Sequence, residues 1–214
     1  MYAAKKDSAI QRAVLFIIKQ IKENRTRFFT IIGFSIGLVF MGIFIFSRIQ
    51  SLNVTASERL SFAYYYLSAG DVPQAVTYLD EIISGFPNTP SSYQARMIRA
   101  DVYVEEGAYD EALNLLTEAY LKGKPQEFRP LAAARIINLY DRKGDYQLAV
   151  MNANEFINKY KDHYFSKDIY INLARYYLVL DSLDDAKRVL SEILVTFPGS
   201  NEAAAAEEML ETIE

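Results

Sequence analysis

The chain has no cysteine and a single histidine in 214 residues. The first absence excludes disulfides, thiolate metal sites and a Cys nucleophile; it permits an oxidising compartment without demonstrating one. The second leaves His163, in KYKDHYF, without another His or Cys to share a metal and without a neighbouring nucleophile motif, so a solvated loop histidine is expected. There is no Gly-x-x-x-x-Gly-Lys phosphate loop, no Gly-x-Ser-x-Gly elbow and no calcium loop of alternating Asp. Carboxylate pairs occur at Asp80-Glu81, Glu105-Glu106, Asp110-Glu111 and Asp184-Asp185. Adjacent residues on a helix point about 100° apart, so these read as solvated faces, the last two also suiting the positive start of a helix. No catalytic residue, metal, cofactor or small-molecule substrate is expected.

The most localised absence is of charge. Between Phe28 and Phe46 the chain reads FFTIIGFSIGLVFMGIFIF, without one Asp, Glu, Lys or Arg, flanked by Arg25 and Arg27 before and Arg48 after. At helical rise this run spans roughly 28 Å, close to the hydrocarbon thickness of a bilayer. A buried helix of a soluble core is the alternative, but such helices rarely stay apolar on every face for five turns. Residues 28–46 are therefore expected to be a single transmembrane helix. Gly33 and Gly37 form a Gly-x-x-x-Gly face, a candidate for packing against another membrane helix.

Charge is divided unequally about this run. Residues 1–27 carry seven Lys/Arg against two acids, and the remainder sixteen against twenty-five, giving +5 and −9 for the formal total of −4. The acidic part would repel a phosphate backbone, which disfavours nucleic acid. Positive charge beside a first membrane helix is retained in the cytoplasm, so the expected placement is a bacterial inner membrane crossed once, amino end cytoplasmic and main domain periplasmic. Val54-Thr55-Ala56 has the spacing of a signal-peptidase site, but the apolar run is long for a cleaved signal and the 27 residues before it are many.

In the basic segment, Ser8 and Gln11 read as a capping box, and Ile10, Val14, Ile17, Ile18 and Ile21 fall on one helical face, with Lys5, Lys6, Arg12, Lys19 and Lys22 mostly elsewhere. A basic amphipathic helix on the inner leaflet is expected, with a cytoplasmic partner as the alternative. Residues 47–55, SRIQSLNVT, read as a short polar linker.

From residue 56 the chain repeats every 37 residues. Tyr66, Tyr103, Tyr140 and Tyr177 share one column and Ala75, Ala112, Ala149 and Ala186 another. Gly70, Gly107 and Gly144 align with Asp181; Ala63, Ala100 and Ala174 align with Ile137; two copies close on Phe86-Pro87 and Phe197-Pro198. Each column has a physical reason. Glycine ends one helix in a left-handed turn, the alanines lie where paired helices cross closely, the tyrosine fills the gap to the neighbouring copy, and proline stops the second helix.

This pattern resembles the tetratricopeptide repeat (TPR). In AYYYLSAGDVPQAVTYLDEIISGFP, the family's small residue is Ala63, its aromatic Tyr66, its turn glycine Gly70, its second small residue Ala75 and its terminal proline Pro87. The resemblance covers 56–198 in four copies. The step is 37 where 34 is usual, Asp181 replaces the turn glycine, and Lys124 and Lys161 replace the terminal proline. The expected fold is all-α: an amphipathic helix, one transmembrane helix, a TPR-type solenoid of four helix pairs, and a capping helix over 199–214 opened by Ser200-Asn201-Glu202.

The resemblance implies a groove lined by the first helix of each pair. Carried over residue by residue, it assigns Leu60, Tyr64, Met97, Asp101, Glu105, Asn138, Asp141, Arg142, Ile171 and Arg175 to a candidate peptide groove. The groove lacks the Lys, Arg and Asn set with which cytosolic TPR co-chaperones grip a carboxyl terminus. The layout looks like that of the ancillary subunits of the SecYEG translocon, which are associated with periplasmic chaperones. The repeats themselves, especially FPNTPSSYQARMIRADVYVEEGAYDEA, look more like the TPR lipoproteins of outer-membrane β-barrel assembly, whose lipid-bearing cysteine is absent here. The implied function is a non-enzymatic adaptor for chaperones or emerging chains. A scaffold in another envelope machine is the alternative.

Overall fold

The computed structural model describes residues 9–23 and 25–213, which form helices joined by short turns with no strand among them. In order these are α1 (Ala9–Glu23), α2 (Arg25–Ser68), α3 (Val72–Gly85), α4 (Pro90–Glu105), α5 (Tyr109–Lys122), α6 (Phe128–Lys143), α7 (Tyr146–Tyr160), α8 (Ser166–Val179), α9 (Leu183–Thr196) and α10 (Asn201–Ile213). Contacts divide the chain into two units, residues 1–51 and 52–214.

In the first unit, α1 exposes Ile10, Val14, Ile17 and Ile18. The expected contributions of Lys5, Lys6 and Ser8 lie outside the described residues, and the Ile21 side chain is likewise not described. The uncharged stretch forms the early part of α2, the one helix among the described residues long and apolar enough to cross a membrane, and none of its apolar window is buried. A helix in a soluble core would bury one flank. A Cβ added at Gly33 or Gly37 would meet no atom within 4 Å. The linker expected over 47–55 is helical, lying within α2. Most of its residues are polar, but it includes neither Gly nor Pro, and polarity alone does not interrupt a helix.

In the second unit, the end of α2 pairs with α3, α4 with α5, α6 with α7 and α8 with α9, and α10 packs on α9 and α8. The turns follow from the repeat columns. Gly70, Gly107 and Gly144 stand at φ 78°, 77° and 77°, and each second helix begins two residues later. Side chains cap the helix starts: Asp71 accepts from the Gln74 amide, Thr89 from Ser92 and Asp145 from Leu148, each at 3.2 Å, and Ser200 from Ala203 at 3.1 Å. Each such bond satisfies a donor that the helix itself leaves unpaired.

The small-residue columns are where the pairs touch. Ala63, Ala75, Ala100, Ala112, Ala149, Ala174 and Ala186 are all fully buried, as Ile137 nearly is. Around them lie three apolar clusters: Ala56, Leu60 and Ala63 with Leu79 and Ile82; Met97 and Ala100 with Leu116 and Leu139; and Ile137, Phe156, Tyr170 and Leu173 with Leu190 and Ile193. Burying each of the larger side chains contributes roughly 1.5–3 kcal/mol before entropy is counted. The tyrosine column is half-buried and performs two tasks. Tyr140 touches both the second and third clusters, and the Tyr177 hydroxyl accepts from Asn154 of the preceding pair at 3.2 Å. Tyr66 instead stacks on Tyr78 of its own pair at 5.6 Å, because no earlier pair lies before it in the array.

Candidate functional site

The expected groove positions separate into four groups. Leu60 and Met97 are core residues, 5% and 2% exposed, and cannot touch a ligand. Both sit on the flank of their helix that meets the partner helix, where the apolar clusters form. Asp141 is half-buried and hydrogen-bonded to the Tyr176 hydroxyl, and Ile171 packs on the α6–α10 cluster. Tyr64 and Arg175 are exposed, the latter donating to Asn172 at 3.2 Å, but neither reaches the cavity formed by the others.

Asp101, Glu105, Asn138 and Arg142 do come together. With Val104, Leu131, Ala134, Arg135, Leu139 and Phe165 they line a cavity of about 420 Å³ between α4, α6 and the start of α8. Helical spacing builds it: Asp101 and Glu105 lie four apart on α4, and Leu131, Arg135, Asn138 and Arg142 recur at three to four residues on α6. Two ion pairs span the repeats. Arg135 Nε donates to both Asp101 carboxylate oxygens, at 3.1 and 3.2 Å, and Arg142 Nη2 to Glu105 Oε1 at 2.6 Å. Partial burial raises the Asp101 carboxyl above its ordinary value; Arg135 opposes this, and Glu105 adds repulsion.

The cavity thus holds two cations and two anions already matched, with Asn138 between Arg135 and Arg142 on the same face. Its floor is apolar, from Leu131, Ala134 and Phe165. A strongly charged ligand would have to break an ion pair, whereas a dipolar chain can place an apolar side chain inside and exchange hydrogen bonds at the rim. Sequence reasoning missed Arg135, which lies three residues before Asn138 and seven before Arg142, a spacing that places it on their face.

Other polar residues serve structure. Arg96, 4% exposed, donates to Glu118 Oε2 at 2.9 Å and to the Ser92 hydroxyl, with its guanidinium 5.5 Å from the Tyr93 ring. The carboxylate pairs expected as solvated faces contribute ion pairs, between helices for Asp80 with Arg99 and Asp110 with Lys143, and within α4 and its cap for Glu106 with Arg99. His163 is half-buried against Phe156 and Phe165, and its Nδ1 accepts from the Phe165 amide at 3.3 Å. It is a turn-forming residue, not a solvated one, because the loop folds back onto the α7 core. Among the described residues no three His, Asp or Glu are grouped to hold a metal.

A second cavity, of about 300 Å³, opens between α5, α6 and α7, lined by Leu113, Tyr140 and Phe156 with Tyr120 and Glu155 at its rim. There the Tyr120 hydroxyl donates to Glu155 at 3.1 Å and accepts from Lys159 at 2.9 Å.

Residues 60–128 match the family model for the tetratricopeptide repeat. No curated protein matches the chain by sequence. Among solved structures, a tetratricopeptide repeat protein from Parabacteroides merdae ATCC 43184 is 20% identical with a TM-score of 0.61, over 74% of this chain and 59% of that one. The present chain therefore spans well under two thirds of that relative. TPR-like repeats from Podosopora anserina are 18% identical with a TM-score of 0.58, over 73% of this chain and 84% of theirs. MamA of AMB-1 is 16% identical with a TM-score of 0.51, over 74% and 84%. At these identities the likeness shows the fold alone. The family match and the fold together support a TPR-type repeat protein, an architecture suited to protein–protein interaction and generally without catalysis.

Proposed function

We propose that this chain is a membrane-anchored, non-enzymatic adaptor whose repeat unit holds other proteins outside the cytoplasm. In this reading residues 28–46 cross a bacterial inner membrane once, residues 1–27 stay in the cytoplasm, and the repeats of 56–198 with the cap of 199–214 lie in the periplasm. The supporting observation is the presence, in one chain, of an unburied uncharged helix and a repeat unit with a charge-balanced cavity between successive first helices. The partners proposed are periplasmic chaperones, or emerging chains, beside the Sec translocon.

An extended segment would lodge an apolar side chain against Leu131, Ala134 and Phe165. Its backbone would exchange hydrogen bonds with Asn138 and with the donors and acceptors that the Arg142–Glu105 pair leaves over. Such contacts are individually weak and largely independent of ligand sequence, which suits transient holding more than tight selection. A scaffold subunit of another envelope machine, such as outer-membrane β-barrel assembly, is the second reading, favoured by the resemblance of residues 86–112.

The test is a photo-crosslinking residue at Asn138 in intact cells, with external protease added to spheroplasts. Capture of Sec subunits, chaperones or nascent envelope proteins, with the carboxyl-terminal unit digested from outside, is the expected result. Capture of β-barrel assembly components alone would favour the scaffold, and digestion only from the cytosolic side would reverse the topology and remove both readings.

A further inference from the structure

α1 has an apolar flank and a basic flank, and only residues 24–27 separate it from the uncharged run. Ile10 is 76% exposed, and Val14, Ile17 and Ile18 lie between 44% and 48%. Leu15 and Phe16, also exposed, fall outside this apolar sector, on either side of Arg12 and Lys19 on the opposite flank. Arg12, Lys19 and Lys22 project from the other side, and Arg25 and Arg27 follow at the start of α2. The step from Glu23 to Phe28 covers roughly 7 Å if helical and at most roughly 17 Å if extended. With Phe28 at the hydrocarbon edge, the end of α1 must therefore lie within reach of the lipid headgroups. Cations there meet the negative surface of the inner leaflet, and an apolar flank there has acyl chain ends beside it.

We propose that α1 lies along the cytoplasmic leaflet and recognises anionic phospholipid, seating Ile10, Val14, Ile17 and Ile18 at the boundary of headgroups and acyl chains while its basic flank holds lipid phosphates. The proposal rests on residues 28–46 being the anchor. Each cation near such a surface multiplies the ratio of docked to undocked helix by about fivefold. The first unit is thereby fixed in orientation as well as in depth, since an amphipathic helix in the interface resists rotation of the span to which it is tied.

The absence of native cysteine allows one environment-sensitive dye to be placed at a time on the full chain in lipid nanodiscs. Ile17→Cys reports docking, Lys19→Cys the opposite flank, and Phe40→Cys the anchor. The expected result is a blue-shifted, brightened dye at position 17 in discs containing phosphatidylglycerol, a weaker change in phosphatidylcholine alone, and a water-exposed dye at position 19. Arg12→Gln with Lys22→Gln should lower the docked-to-undocked ratio about 25-fold at low salt, and added salt should lower it in the unsubstituted chain. A wet dye at 17 beside a dry one at 40 would overturn the proposal and leave the anchor standing. Wet dyes at both would remove the anchor and the proposal together. Equal drying at 17 in both lipids would exclude recognition of anionic lipid, and self-quenching at 17 that falls as chains are diluted among discs would assign the flank to a second copy.

Discussion

Asp181 holds in the fourth repeat the same left-handed turn that Gly144 holds in the third, at φ 57° against 77°. The surrounding bonds are matched. Gly144 and Asp181 donate to the carbonyls three residues back at 3.0 and 3.1 Å, and the following amides reach Tyr140 and Tyr177 at 2.9 Å. The turn is thus dictated by the repeat and imposed on a residue with a Cβ. Asp181→Gly is expected to stabilise the repeat unit by about 0.5 kcal/mol, relief of backbone strain being partly offset by the larger unfolded-state entropy of glycine. Gly144→Ala, which meets no steric neighbour within 4 Å, should cost about 1 kcal/mol through φ alone. Urea unfolding of the two variants measures both.

The alanine column is a limit on size. Ala149 is fully buried in the cluster that contains Phe156 and Ile137. Ala149→Leu should destabilise by about 1–3 kcal/mol, because the added carbons must displace close-packed neighbours, while Ala204→Leu on the exposed flank of α10 should change little. Thermal denaturation of the pair separates overpacking from a general effect of the larger residue.

Glu118 accepts from Lys122 at 3.0 Å and from Arg96 at 2.9 Å, and these bonds hold its carboxyl below its ordinary value of 4.5. A depressed carboxylate contributes stability that is present above its unfolded value and lost as pH falls through the folded one. Glu118→Gln should therefore flatten the acid-side loss of stability below about pH 4.5, read from melting curves across pH. Glu118→Ala at neutral pH should cost about 1–2 kcal/mol, since it withdraws a partner from the buried Arg96 guanidinium.

Partner retention should depend on the α4–α6 cavity. Asn138→Ala and Arg142→Gln are expected to weaken retention in mild detergent by about tenfold each, on the scale of one or two hydrogen bonds, with little change in melting temperature because the Arg142–Glu105 pair is exposed. Tyr64→Ala and Arg175→Ala, whose side chains lie outside that cavity, should leave retention unchanged. The reverse pattern would move the binding surface to the exposed positions of the first and last pairs. Loss only with Leu113→Ser would move it to the cavity between α5, α6 and α7.

The repeat was legible because its columns are local. A 37-residue period, a glycine before three of the four second helices and an alanine inside each are readable without knowing what touches what, since they arise from turn sterics and from the closeness of two consecutive helices. The uncharged run was legible for a similar reason: hydrocarbon thickness sets a length, and lack of charge sets a solvent. The groove was legible only in part. Position within the repeat placed four of the ten candidates about one cavity, but not which flank of each helix the neighbouring pair would cover, so Leu60 and Met97 went to the core. Arg135 entered the cavity through its pairing with Asp101, thirty-four residues earlier. The linker of 47–55 turned on continuity, which a polar composition does not reveal.

The sequence by itself determined the helix pairs, their turns and the apolar span, because each depends on interactions within one helix or between consecutive ones. Only the tertiary structure decided which side chains line the α4–α6 cavity and which cations there are already matched. That choice is made by contacts between pairs, and a pattern that repeats identically in every copy carries no record of the differences between them.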